Sequence, residues 1–203
     1  MVVAERRGGT GNKFAQRRAA TRHELLRLGL ERFPLKGYSS TTIDDIVRDS
    51  GLTRGAFYFH FAGKEEFFLE LLRLRAELRD EWWLVAREPA HTDTSAAVAA
   101  VLERLARVPD GGAWLLQIAD FFQAARGRDE HTAPLRELYA QWIVEISAFV
   151  RELRARGLAR TDAAPEALAA EIFAVAEGFT IHRALYAMSG EGLVDALERI
   201  LRP

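Results

Sequence analysis

The sequence predicts an all-α protein of about nine helices: an amino-terminal three-helix helix-turn-helix domain, joined by a long helix to a carboxy-terminal helical bundle. Two observations predict this. Glycine and proline punctuate the chain at regular intervals, from Pro34 and Gly37 to Gly190 and Gly192, and between these marks apolar residues recur at helical spacing. No alternating run of four or more residues is flanked by turn residues, so no strand is expected. A chain of 203 residues, 49% hydrophobic and 28% charged, suits one large or two modest folded domains and excludes extended disorder. The lack of cysteine removes disulfides, thiol nucleophiles, thiolate zinc sites and iron–sulfur clusters, and it suits a reducing cytoplasm. Uncharged runs reach nine residues at most, too short for a membrane helix or a signal-peptide core, so a cytoplasmic location without a membrane partner is expected.

Taken in order, the first helix is expected over about residues 16–33, with Leu25, Leu26, Leu30 and Phe33 on one face and Arg17, Arg18 and Arg22 near its start. Gly37 ends that segment. Thr41 or Thr42 caps a short second helix, where Asp44 and Asp45 complement the positive end of the dipole while Ile43, Ile46 and Val47 point inward. Ser50 and Gly51 stop it. A turn through Leu52 leads to Thr53, which caps a third helix over residues 54–60. After Gly63 a long helix over residues 64–87 carries Phe67, Phe68, Leu71, Leu72, Leu78, Trp82 and Val85. Further helices are expected over residues 95–108, 113–125, 134–156, 165–188 and 193–201, and their short loops imply a compact bundle. The domain reading is a flexible basic arm at 1–15, a helix-turn-helix domain at 16–64, and a ligand-binding and dimerisation bundle at 65–203.

Net charge follows the same division. Residues 1–64 hold 12 Lys/Arg against 6 Asp/Glu, a net +6, whereas residues 65–203 hold 16 against 23, a net −7. A basic first third suggests a polyanionic partner. Within it, two short helices around a glycine-containing turn form a helix-turn-helix, whose second helix enters the major groove. Thr53, Arg54, Tyr58, His60 and Lys64 supply hydroxyl, guanidinium, phenol, imidazole and ammonium donors at positions expected to face outward, and Gly55 permits close approach of a backbone or thymine methyl. Leu52, Ala56, Phe57 and Phe61 are left to hold the helix against Leu30, Phe33 and Ile46.

The run Gly37-Tyr38, Thr42-Ile43, Ile46, then Gly51-Leu52-Thr53-Arg54-Gly55-Ala56-Phe57-Tyr58-Phe59-His60-Phe61 and Gly63-Lys64-Glu65 resembles the DNA-binding domain of the tetracycline-repressor (TetR) family. The resemblance covers about residues 16–72. It implies that Thr42, Thr53, Gly55, Tyr58, His60 and Lys64 contact DNA, with Lys64 holding a phosphate at the start of the fourth helix. The family commonly has a second tyrosine where Phe59 stands, so one phosphate contact is missing here. Arg6, Arg7, Lys13, Arg17 and Arg18 give the arm two readings, a minor-groove or phosphate contact and a tail without contacts.

The bundle is rich in aromatic residues. Trp114, Phe121, Trp142 and Phe179, with Gln117, Asp120 or His182 supplying polarity, are candidates to line a pocket for a flat or greasy small molecule; plain core packing is the competing reading for each. His182 has no second histidine at i+4 and no carboxylate pair, so no metal is expected. No nucleophile elbow, phosphate loop or paired catalytic carboxylates appear, so neither an enzyme nor a cofactor is expected. The resulting expectation is a ligand-responsive regulator, a repressor binding a palindromic DNA operator as a homodimer and released by a small lipophilic or aromatic effector. The alternative is a constitutive or architectural DNA-binding protein without an effector. The dimer is expected through the helix at 165–188 and the terminal helix. In the former, Leu168, Ile172, Val175 and Phe179 form a core stripe, while the small residues Ala167, Ala170, Ala174 and Gly178 form a second, continued by Ile181 and Leu185.

Overall fold

A computed structural model of the chain describes residues 9–77, 82–106, 111–187 and 192–203, with side chains from Lys13 onward and, in the sixth helix, from Ala113 onward. Among these residues the fold is all-helical: α1 Gly9–Lys36, α2 Ile43–Val47, α3 Arg54–His60, α4 Lys64–Glu77, a 3₁₀ segment Trp82–Arg87, α5 Thr94–Ala106, α6 Gly111–Ala124, α7 Asp129–Ala155, α8 Pro165–Tyr186 and α9 Leu193–Leu201. The chain forms two compact units that divide after Leu71, later than the boundary expected after Lys64.

The later division has a physical cause. Phe67, Phe68 and Leu71, all on α4, are fully buried, and the two phenylalanines stand within the aromatic cluster of the first unit. The Phe67 ring centroid lies 4.8 Å from Phe61, 5.0 Å from Phe57 and 6.1 Å from Phe33, while Phe68 meets Phe33 at 5.2 Å and Tyr38 at 4.9 Å. Each fully buried ring contributes about 2 kcal/mol of burial, and favourable ring pairs add about 1 kcal/mol. The two helices close tightly: a Cβ at Gly29 of α1 would fall 2.6 Å from Phe67 and 2.7 Å from Leu71, so any larger residue there displaces those buried side chains.

Several boundaries differ from those expected. Residues 9–15, assigned to the flexible arm, form the first turns of α1, because the helix-forming run at 14–20 carries the helix back through Gly9 and Gly11. The rest of the arm, with Arg6 and Arg7, lies outside the described residues. At its other end α1 runs past Pro34 to Lys36. Gly37 then stops it at φ +90°, with its N–H donating to the Phe33 carbonyl at 2.9 Å. Of the helix expected over 64–87, Lys64–Glu77 is α-helix and residues 82–87 are 3₁₀, while residues 78–81, with Leu78, lie outside the described residues. Three residues per turn put Trp82 and Val85 on one side, and both are buried together with Ala86. α7 begins a turn before Pro134 because Asp129 and Glu130 suit the positive end of its dipole.

In the second unit Phe149, Val150 and Leu153 of α7 share a core with Leu168, Ala169 and Ile172 of α8, Leu197 and Leu201 of α9, Val98 of α5 and the 3₁₀ segment. α8 packs against α6, α7 and α9. Polar ties close the ends: Thr94 Oγ1 donates to the Leu158 carbonyl at 2.6 Å, and the Arg160 N–H donates to the Leu201 carbonyl at 2.8 Å.

The amino end of α2 rests on a capping box. Thr42 Oγ1 accepts from the Asp45 N–H at 3.1 Å, and Asp45 Oδ2 accepts from the Thr42 N–H at 3.0 Å. Asp45 Oδ1 also accepts from Lys36 Nζ and Arg48 Nη2, each at 2.7 Å. The Lys36 ammonium first, then the hydroxyl and amide of Thr42, hold the Asp45 carboxyl far below the usual carboxylate range. A carboxyl depressed on folding stabilises the fold above its unfolded pKa of about 3.9 and loses that contribution as pH falls through the folded value. Asp45→Asn is therefore expected to lower the melting temperature at pH 7, with the gap to wild type narrowing below about pH 4. A gap that stays constant from pH 7 to pH 3 in thermal melts contradicts this account.

Candidate nucleic-acid interface and bundle interior

The helix-turn-helix is built from local backbone chemistry. α2 ends at Val47, Asp49 takes a positive φ of 59° and Gly51 one of 74°, and Ser50 Oγ bridges the turn by donating to the Val47 carbonyl and accepting from the Leu52 N–H. Thr53 then caps α3, its Oγ1 accepting from the Ala56 N–H at 3.1 Å. The seven residues of α3 hold on through one fully buried side chain, Phe57, and through Phe61 just beyond its end, 3% exposed. Leu52 and Ala56 are half-buried beside them.

The opposite face of α3 is open. Thr53, Arg54 and Gly55 are exposed, as are Tyr58 and Phe59 at 50% and 58%. A Cβ at Gly55 meets nothing closer than Thr53 Oγ1 at 3.6 Å, so the surface there is flat. Phe59 stands under the Arg18 guanidinium, 5.2 Å from its ring centroid, and Arg22 lies 5.5 Å over Phe61. The sequence gives Arg18 either a minor-groove or phosphate contact or a place in a tail without contacts, and puts Arg22 near the start of α1; their seats over Phe59 and Phe61 appear only in the fold. Both arginines, after desolvation, push the pKa of half-buried His60 below its ordinary value, so the imidazole is neutral at pH 7 and can both donate and accept.

Two side chains expected to contact DNA, Thr42 and Lys64, have work inside the fold. The Thr42 hydroxyl donates to Asp45 Oδ2 at 2.7 Å. Lys64 Nζ donates to the carbonyls of Tyr38 at 2.9 Å, Thr41 at 3.0 Å and Ser39 at 3.3 Å, and sits 4.5 Å from the Tyr38 ring centroid. An ammonium has three hydrogens. In this conformation a phosphate contact by Lys64 replaces one of these bonds.

The second unit distributes its expected pocket residues over three places. Trp114, Gln117 and Phe121 share one face of α6 and are buried, with the Arg75 guanidinium 4.6 Å over Trp114. Trp142 of α7 is half-buried, its ring 5.6 Å from Phe173 of α8. Phe179 is half-buried on α8, whereas His182 is exposed on the last turns of that helix, edge-on to Tyr186 at 5.5 Å. Among the described residues, two buried polar atoms of this set lack a hydrogen-bond partner: Gln117 Oε1, on a residue 7% exposed, and Trp142 Nε1. Glu177, half-buried on α8, has its carboxyl pushed up by burial. On the outer side of α8, Ala170, Ala174 and Leu185 are exposed, Gly178 and Ile181 are half-buried, and a Cβ at Gly178 meets open space. Among the described residues no group of three metal-ligating side chains assembles, and no helix is long and apolar enough to cross a membrane.

Residues 25–71 match the family model of bacterial regulatory proteins of the tetR family. The HTH-type transcriptional regulator AcrR of Shigella flexneri is 39% identical over 62 residues, which are 30% of this chain and 29% of that protein. The HTH-type transcriptional repressor KstR2 of Mycobacterium tuberculosis is 40% identical over 84 residues, 41% of this chain and 38% of that one. The chain thus spans about a third of the length of the curated relatives it matches. The likeness to solved structures is longer. Regulatory protein TetR from Rhodobacter sphaeroides is 25% identical, covering 89% of this chain and 98% of its own, with a TM-score of 0.68. Reduced NemR of E. coli, 17% identical over 89% and 95% of the two chains at a TM-score of 0.70, shares the fold. The chain thus carries a unit over residues 25–71 that matches the tetR family model, and it shares its fold with these solved regulators along most of its length.

Proposed function

We propose that this protein is a transcriptional regulator, a repressor that binds a palindromic operator as a homodimer and releases it when a small molecule enters the bundle. The observation that carries the reading is α3: fastened by Phe57 and Phe61, it offers Thr53, Arg54, Gly55 and Tyr58 to solvent beside Arg18 and neutral His60. An exposed face with hydroxyl, guanidinium and phenol donors suits base edges and phosphates together. The neighbouring Thr42 and Lys64 complete the interface from α2 and α4. AcrR is named a transcriptional regulator and KstR2 a transcriptional repressor, in keeping with this reading. The effector is supported by the two unpartnered polar atoms, because a buried acceptor and a buried donor left unsatisfied cost about 1–3 kcal/mol each. A ligand that is apolar in its body relieves the first by donating to Gln117 Oε1 or the second by accepting from Trp142 Nε1. The dimer is supported by the outer side of α8, where Leu185 is 53% and Tyr186 66% exposed beside the small residues Ala170, Ala174 and Gly178.

Three outcomes are expected. Tyr58→Ala weakens binding to every duplex by about tenfold, and Lys64→Ala lowers both the salt slope by about one unit and the melting temperature, since its carbonyl bonds go too. Titrations in which a folded double variant binds DNA as wild type does overturn the interface. Gly178→Arg, which the open space around Gly178 admits without strain in the monomer, yields monomers with weakened operator binding. Sedimentation of wild-type protein as a monomer at micromolar concentration, free and on DNA, excludes the dimer. Gln117→Leu holds or raises the melting temperature by removing an unsatisfied buried acceptor, yet abolishes the thermal shift given by planar aromatic compounds that stabilise wild type. A panel that shifts both proteins equally removes Gln117 from the pocket.

A further inference from the structure

Asp44 is an acidic side chain at this interface that takes no part in the capping box of α2. The capping box is completed by Thr42 and Asp45, and the charge of Asp45 already serves the positive end of the helix. Asp44 is exposed at the second position of α2, and a carboxylate there stands where phosphates are expected to approach. Its Oδ2 lies 3.3 Å from Nη1 of Arg54, the first residue of α3, ten positions along the chain and across the turn. Among the described residues this is the partner of each. Both side chains are 60% exposed, and ion pairs so placed add little to stability. Stability therefore does not account for the pair, and repulsion from DNA opposes Asp44 when it stands alone.

The geometry of the guanidinium supplies a different role. Arginine has five donors in a planar fork. One Nη1 hydrogen given to Asp44 leaves the edge formed by Nε and Nη2 free, and a two-donor edge is what guanine O6 and N7 accept. An arginine without a carboxylate beside it is free to swing toward the nearest phosphate, where it gains affinity without sequence information. We propose that Asp44 is a specificity-determining positioning residue: its carboxylate holds the Arg54 guanidinium away from the phosphates and presents it to a guanine. This rests on the reading of α3 as the base-reading helix. It assigns to Asp44 a function opposite in sign to that of an ordinary interface charge, because removing it strengthens binding to random DNA and weakens discrimination.

The test uses full-length protein and the sites that wild type enriches from a randomised duplex library. Arg54→Ala comes first and should erase the guanine preference at one position of each half-site. If it leaves the enriched sequence unchanged, Arg54 reads no base and the reading of the interface beneath this proposal fails. With that preference established, Asp44→Ala and Asp44→Asn should reduce discrimination at the same position about tenfold, raise affinity for random duplex two- to threefold, and leave the melting temperature unchanged. Asp44→Glu, which keeps the carboxylate, should recover part of the preference. Combining Asp44→Ala with Arg54→Ala should lose no more discrimination than Arg54→Ala alone. Asp44 variants that keep full guanine preference overturn the proposal, and so do variants that lose affinity for specific and random duplex in equal measure.

Discussion

The packing of Phe67 is the contact on which the first unit depends. A helix of seven residues is far below the length at which helices persist alone in water. α3 exists because Phe57 and Phe61 place their rings about 5 Å from Phe67, and because Phe33 of α1 closes the same cluster from the other side. Everything proposed for the open face of α3 follows from that burial on its other face. The tight fit at Gly29 shows how little slack the arrangement has. A core of interlocked rings resists sliding, since rotating one ring requires its neighbours to move.

The sequence was most informative where backbone conformation restricts residue choice. Thr53 occupies the cap position expected of it, Thr42 rather than Thr41 caps α2, Gly51 has a positive φ, and α3 and α9 begin and end where their patterns indicate. Such features are local, so a few neighbouring residues determine them. Interactions between distant segments were not legible. Lys64 was read as a phosphate ligand, and its bonds to carbonyls 23 to 26 residues away could not be inferred from spacing. The same holds for Arg18 over Phe59 and for the pair between Asp44 and Arg54. In the bundle the difficulty was of another kind. Aromatic residues at helical spacing serve a core or a pocket equally well, so the sequence could not separate wholly buried Phe121 from half-buried Trp142, or foresee that His182 would stand in solvent.

The bundle pairs half-buried arginine heads with backbone carbonyls as well as with carboxylates. Arg156 reaches the carbonyls of Ala86, Glu88 and His91, and Arg154 those of Arg160 and Ala163. Each satisfies acceptors at the ends of neighbouring segments that helix geometry leaves open. Arg75 instead lies across Trp114 at the buried face of α6. Glu177 on α8 is a half-buried carboxyl whose burial raises its affinity for a proton.

The three carbonyl bonds of Lys64 make the first residue of α4 a mooring for the segment from Tyr38 to Thr41. Thr42, the cap of α2, is the next residue in the chain. Phe67, one turn further along α4, carries α3 through its rings. The two halves of the helix-turn-helix are thus fastened to a single turn of one helix, the first by hydrogen bonds and the second by aromatic packing. A twist of that turn transmits to both at once, so the reading surface is steered as a rigid piece and keeps its internal spacing while its bearing changes.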